Sequence, residues 1–238
     1  MNISVGTSGY SYKEWKGTFY PPKTPAAAML PYYATQFDSV EINNTFYRMP
    51  DEAMLSAWSA QVPDNFTFSL KSPRRISHVK RLQDTQPDVA EFVRRVQLLG
   101  AKLGPLLFQL PPFMHADLGL LREFLAELPK GPRFAFEFRH ESWFRDEIYD
   151  ALRQHEAMLC IAETDDLQAP LVATSTSGYL RLRELDYDDD RLRGWAERIA
   201  AQPWTNAFVY FKHEDEALGP RFARRFIELW SEVRAAPS

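Results

Sequence analysis

Short apolar runs recur along the whole chain, at 3–6 (ISVG), 39–43 (SVEIN), 66–71 (FTFSLK), 105–110 (PLLFQL), 134–139 (FAFEFR), 158–162 (MLCIA), 179–183 (YLRLR) and 207–212 (AFVYFK). Each predicts a strand. Between most of them lie segments whose apolar residues return every three or four positions, such as PAAAMLPYYATQF, DVAEFVRRVQLLGAKL and PRFARRFIELWSEVR. That is the spacing of an amphipathic helix. Strand and helix in alternation call for parallel pairing through crossovers. Eight such units in 238 residues predict a (β/α)8 TIM barrel, with a doubly wound open sheet as the alternative. The regularity breaks once. Residues 164–178 (TDDLQAPLVATSTSG) have no helical period and carry Pro170 and Gly178, so the barrel is expected to be irregular around its sixth helix. No linker or repeat divides the chain, and 1–238 is read as a single barrel domain.

Side chains alternate along a strand, so each run splits into two faces. Val40 and Ile42 oppose Glu41 and Asn43; Phe66, Phe68 and Leu70 oppose Thr67, Ser69 and Lys71. Phe134, Phe136 and Phe138 oppose Ala135, Glu137 and Arg139, while Leu180 and Leu182 oppose Tyr179, Arg181 and Arg183. Gln109 lies opposite Leu106, Phe108 and Leu110. The large apolar face packs on helices, which sends the small and polar face into the barrel. Its charged members fall near strand C-terminal ends, where barrel active sites are built.

The inward set places Glu41 and Glu137 against Lys71, Arg139, Arg181 and Arg183, with Lys212 added if the last strand has the same parity. Ionised groups inside a barrel must be paired or liganded, so an excess of cations points to a bound anion such as a phosphate. A closed ion-pair network is the competing reading. Glu41 and Glu137, with Lys71, are the acid/base candidates. Glycosidase-like chemistry would need the two carboxyl groups about 5–9 Å apart. Aromatic residues follow the strands: Tyr10, Tyr12 and Trp15 after the first, Phe46 and Tyr47 after the second, Phe113 after the fourth, Trp143 and Phe144 after the fifth. Rings beside cations suit a sugar or nucleobase carrying phosphate, although most rings in any chain belong to the core.

Charge and composition narrow the field. The net charge of −4 gives no general attraction for nucleic acid or anionic membrane, so anion affinity has to be local. No apolar run approaches the roughly 18 residues of a membrane span, and the N-terminus lacks the pattern of a signal peptide. The single cysteine, Cys160, sits in MLCIA as a buried small hydrophobe, and a cytoplasmic location is expected. P-loop, GxGxxG, GxSxG and HExxH motifs are lacking, so Walker-site, Rossmann, serine-hydrolase and zincin chemistry have no support and the cofactor is left unknown. His78, His140 and His213 lie near strand ends and could join Glu41, Glu137 or Asp165 around a metal, but surface or supporting roles are favoured and no metal ligand is assigned.

Five longer segments carry a family likeness: VGTSGYSYKEWKGTFYP (5–21), YYATQFDSVEINNTFYRMP (32–50), FTFSLKSPRRISH (66–78), KLGPLLFQLPPF (102–113) and FAFEFRHESWF (134–144). In this order they closely resemble the YecE-like proteins, the domain-of-unknown-function 72 family. The resemblance covers nearly the whole chain and implies a TIM barrel. It points to Ser8, Tyr10, Trp15, Glu41, Asn43, Thr45, Phe46, Tyr47, Lys71, Gln109, Glu137, Arg139 and Trp143 as site positions. This chain departs late, with Arg181, Leu182, Arg183 and Glu184 where many members look like RLHG, and with Lys212 and His213 at an end that is often Asn-rich. The family barrel has been likened to that of metal-dependent apurinic endonucleases, but the His and carboxylate ligands of a three-metal centre cannot be placed here.

The resulting expectation is a protein that binds a phosphorylated sugar or nucleotide at the barrel mouth, with or without processing it. Glu41, Glu137 and Lys71 are the catalytic candidates. Ser8, Tyr10, Trp15, Asn43, Thr45, Phe46, Tyr47, Gln109, Arg139, Trp143, Arg181 and Lys212 are the binding candidates. Two alternatives stand beside it: a nucleic-acid-binding module using the basic loop 72–82 (SPRRISHVKRL), and a non-catalytic barrel that binds a partner.

Overall fold

The structure, a computed structural model, describes residues 1–163, 167–212 and 217–235. Eight parallel strands form one closed barrel in sequence order: β1 (Asn2–Ser8), β2 (Ser39–Ile42), β3 (Thr67–Lys71), β4 (Leu103–Gln109), β5 (Phe134–Glu137), β6 (Met158–Ala162), β7 (Ser177–Leu182) and β8 (Asn206–Phe211). The ring closes where β1 pairs with β8, from Asn2 opposite Asn206 to Thr7 opposite Phe211. The helices are α1 (Ala26–Tyr33), α2 (Glu52–Ala60), α3 (Gln86–Val96), α4 (Leu118–Ala126), α5 (Asp146–Gln154), α6 (Asp189–Ala200) and α7 (Leu218–Ala235). Aspartates start three of them: Asp51, Asp117 and Asp188 accept from the backbone N–H of Met54, Leu120 and Arg191, which satisfies donors that a helix N-terminus leaves open. The predicted barrel is thereby realised, and the open sheet is not.

The alternation of each strand sorts side chains as the sequence pattern requires. Val40, Ile42, Phe68, Leu70, Phe108, Phe136, Leu180 and Val209 join the helices in one large apolar cluster outside the ring. A separate small cluster fills the inside: Leu107, Ala135, Met158, Cys160, Ala162, Tyr179, Phe208 and Tyr210. Phe208 and Tyr210 settle the parity of β8, and Lys212 follows on their inward row. The interior also holds hydroxyl groups. Tyr210 Oη lies 2.6 Å from Ser39 Oγ and 2.8 Å from Ser69 Oγ, which satisfies buried polar atoms in the middle of the barrel. Gly6 leaves the space needed where β1 meets β2, since a Cβ there would stand 1.9 Å from the carbonyl oxygen of Ser39.

The irregularity expected after the sixth strand is present. Among the described residues no helix separates β6 from β7. An extended segment takes its place, tied down where Thr174 Oγ1 accepts from Leu159 N at 2.7 Å and donates to the Ala157 carbonyl at 2.8 Å. Leu171, Val172 and Ala173 cover the apolar cluster in place of a helix. No helix of the described residues is long and apolar enough to cross a membrane.

Candidate functional site

Above the apolar and hydroxyl layers, the inward rows end in charge. Arg181, on β7, lies at the centre of this layer and is 1% exposed. Its Nη2 donates to Glu41 Oε1 on β2 at 2.8 Å, and its Nη1 to Glu137 Oε2 on β5 at 2.5 Å. One guanidinium thus spans two carboxylates from distant parts of the chain, a task for which its planar fork of donors is suited. Further donors complete both acids. Ser8 Oγ (2.7 Å) and Asn43 Nδ2 (3.0 Å) donate to Glu41 Oε1, and Tyr179 Oη donates to Oε2 at 2.7 Å. Glu137 Oε1 accepts from Gln109 Nε2 at 2.7 Å and from Arg139 Nε at 2.8 Å.

These surroundings fix the ionisation of both acids. Burial works to raise the pKa of Glu137, but Arg181, Arg183 and Arg139 outweigh it and hold the carboxyl well below the usual range. Glu41 follows the same balance: burial pulls upward, while Arg181, Tyr179 and Ser8 bring the net shift downward. Both are completely buried, and neither reaches the cavity that opens above them. The sequence pattern put Glu41 and Glu137 among the catalytic candidates. The geometry places both beneath the cavity wall, each surrounded by donors and held toward its ionised form, in the position of counterions to Arg181.

The cavity itself has a volume of about 620 Å³. Its wall includes Lys71, Arg74, Arg139, Arg181, Arg183 and Lys212, six cationic residues, and no carboxylate among the described residues. Tyr12, Asn43, Asn44, Phe46, Tyr47, His78 and Gln109 complete it. Lys71 Nζ donates to Gln109 Oε1 at 2.7 Å and stands 4.0 Å above the Phe46 ring. Burial, and then the positive charge of Arg181, bring its pKa from 10.5 to about 7, against the opposing pull of Glu137 and Glu41. Burial likewise lowers Arg183 to about 10, with Arg181 adding to the effect; its buried Nε has no hydrogen-bond partner among the described residues. His78 is lowered to about 4 by burial, Lys71 and Arg74, so it is neutral near pH 7.

The structure divides the remaining candidates. Asn43, Phe46, Tyr47, Gln109, Arg139, Arg181 and Lys212 line the cavity. Ser8 and Thr45 lie beneath the wall. Ser8 supports Glu41, and Thr45 Oγ1 donates to the Lys71 carbonyl at 2.7 Å, fixing the end of β3. Tyr10 belongs to a smaller neighbouring hollow of about 210 Å³, shared with Tyr12, Asn43 and Asn44. Trp15 and Trp143 are corrections. Trp15 packs within an aromatic group with Tyr12, Phe19 and Tyr20, and Trp143 stacks on Phe138 at 4.6 Å while its Nε1 donates to the Met114 carbonyl at 2.7 Å. Both cap the core from behind, and neither meets the cavity. Arg74, His78, Asn44, Tyr12 and Arg183 were absent from the set of site residues, yet all five line the wall. The signal for Arg74 and His78 was their place directly after β3.

His140 points elsewhere: its Nδ1 meets Ser142 Oγ at 2.9 Å and its ring lies against His115. His213 and Asp165 lie outside the described residues. No three His, Cys, Asp or Glu side chains come together in a metal-binding arrangement among the described residues. The basic loop is also partly committed. Arg75 and Lys80 both reach Asp88 at 2.8 Å, and Arg74 belongs to the cavity.

Comparison with known proteins matches residues 4–238 to the family described as protein of unknown function DUF72. The chain is 26% identical over 262 residues to the UPF0759 protein YecE of Escherichia coli K12, covering 98% of this chain and 93% of that protein. A DUF72 family protein of Thermotoga maritima has a crystal structure similar to this one, with a TM-score of 0.83 at 25% identity, covering 97% of this chain and all of that one. A GH5_18 protein of Bifidobacterium longum reaches a TM-score of 0.58 at 11% identity, covering 98% of this chain and 79% of that one, a likeness of fold alone.

Proposed function

The chain belongs to the DUF72 family, and from that premise we propose that its barrel mouth binds a small phosphate-bearing molecule, a phosphorylated sugar or a nucleotide. One observation carries the reading: a cavity of about 620 Å³ walled by six cationic residues, with both neighbouring acids sealed beneath it and already satisfied by Arg181 and its companions. That volume suits a metabolite-sized ligand. Arginines of this kind form short, charge-assisted hydrogen bonds to phosphate oxygens. Tyr47, 82% exposed at the rim, offers a ring face for a sugar or base. A cytoplasmic setting fits the buried lone thiol of Cys160.

Glycosidase-like chemistry is disfavoured by the same geometry, since it needs a pair of carboxyl groups facing the substrate. Nucleic-acid binding through residues 72–82 is weakened because Asp88 engages Arg75 and Lys80. Isothermal titration with ribose 5-phosphate, AMP and ribose tests the proposal. Both phosphorylated compounds should bind and ribose should not, and Arg139→Ala and Arg183→Ala should each weaken binding about ten-fold or more, as loss of a hydrogen bond between charged groups implies. Equal affinity for ribose and its phosphate, or indifference to both substitutions, would overturn it.

A further inference from the structure

Lys71 differs from Arg139, Arg181 and Arg183 in the company its charged atom keeps. Arg139, Arg181 and Arg183 all lie within 4 Å of a carboxylate oxygen, whereas Lys71 Nζ makes no such ion pair among the described residues. Its polar partner is an amide. Gln109 stands between Lys71 and Glu137, accepting from the lysine through Oε1 and donating to the carboxylate through Nε2. The side chain is thus held in place, yet kept away from the negative charge that would lock it as an ammonium ion. Phe46 flanks it at 4.0 Å, and Arg181 on β7 and Arg139 just after β5 add positive potential; Arg74 and His78 share the wall. A lysine meant only to attract anions would gain from a nearby carboxylate and lose from this crowd of arginines. An amine meant to react gains from the distance to a carboxylate and from the arginines, because its lone pair becomes free near neutral pH.

We propose that Lys71 is a nucleophile that captures the carbonyl carbon of a phosphorylated aldehyde or ketone as an imine. The inference rests on the phosphate-binding reading of the same cavity and adds a reaction and a substrate class to it. Nζ forms a bond to the carbonyl carbon, and the carbonyl oxygen takes up a proton to give a carbinolamine. The C–O bond then breaks and that oxygen leaves as water. Starting from the ammonium form, one water is released, the positive charge stays on nitrogen as iminium, and no oxidant or reductant is consumed. Protons pass through solvent in the open cavity. Arg139, Arg183 and Arg74 hold the phosphate, and Gln109 is the positioning residue for the amine.

Reductive trapping tests this. The protein is incubated with glyceraldehyde 3-phosphate and cyanoborohydride at pH 7, and the modified lysines are mapped by mass spectrometry. Lys71 should be trapped at least about ten times faster than any other lysine. Lys71→Arg should abolish trapping at this peptide, with unchanged circular dichroism showing that the barrel is intact. Gln109→Glu places a carboxylate against Nζ and should move the pH at which trapping is half-maximal upward, which a merely structural role for Gln109 would not do. Trapping of Lys71 no faster than the exposed lysines, in a protein that binds ribose 5-phosphate, overturns the nucleophile and leaves the binding site standing. Fast trapping that is equal for glyceraldehyde and its phosphate supports the nucleophile and removes the phosphate reading instead.

Discussion

The lower and upper halves of the barrel interior are built on the same inward rows of the same strands, and they solve burial in opposite ways. Lower down, Leu107, Met158, Cys160 and Phe208 pack as an apolar plug, with Tyr210 joining two serine hydroxyls. One level up, the same rows carry Glu41, Glu137, Arg181, Arg139 and Lys71. The plug gains from leaving water, whereas the charged layer is tolerable only because each acid receives several donors. Removing a group from the plug costs contacts. Removing one from the charged layer leaves an unmatched ion, and the stability cost should be larger although less apolar area is lost.

The sharpest way to break that contrast is Arg181→Met. It strands two buried carboxylates and should cost about 3–5 kcal/mol in urea denaturation. Adding Glu41→Gln and Glu137→Gln to the same protein should recover much of the loss, because no ion then remains uncompensated. Arg225→Ala, which breaks an exposed pair with Asp189, should leave the midpoint nearly unmoved. In the plug, Tyr210→Phe leaves Ser39 and Ser69 without their shared partner and should cost about 1–2 kcal/mol. Smaller still is a pH effect on ligand binding. Lys71, with its pKa lowered to about 7, is charged below that pH and neutral above it. Sulfate, which does not titrate in this range, should therefore bind several-fold more weakly at pH 8.5 than at pH 6, and the difference should vanish in Lys71→Met. Tyr47→Ala should have the smallest effect: no change in sulfate affinity or stability, and a loss of about 0.5–1.5 kcal/mol in binding AMP.

Much of this was legible from alternation alone. Phe opposite Glu or Arg along 134–139, and Leu opposite Arg along 179–183, fixed which groups face inward, and the structure keeps every one of those faces. The lack of a helix between β6 and β7 among the described residues was legible too, as a stretch without period. Depth was not. Parity sends Glu41 and Lys71 to the same interior but does not say that one ends beneath Arg181 and the other at the cavity wall, because that depends on strand stagger and side-chain length. The aromatic loops misled for a related reason. Trp15 and Trp143 follow strands β1 and β5 in sequence, but each loop folds back and buries its large ring against the core, where the apolar gain is greatest. Arg74 and His78 were left out of the mouth set because they sit in a basic run that reads as solvated, although the turn after β3 brings them over the mouth.

Arg181 also has a bearing on how the chain reaches this state. Its two carboxylate partners are 140 and 44 residues earlier in the sequence, so both acids are synthesised before β7. Until that strand docks, a growing half-barrel that closed over Glu41 and Glu137 would have to neutralise them with protons or hold them in water. The seventh strand therefore delivers the counter-charge on which the rest of the interior waits, and these long-range pairs tie the early strands to the late ones in a single cooperative step. A fragment ending before β7 should stay open and loosely collapsed, and the complete chain should fold slowly for its size, as a ring whose closure depends on one of its last members.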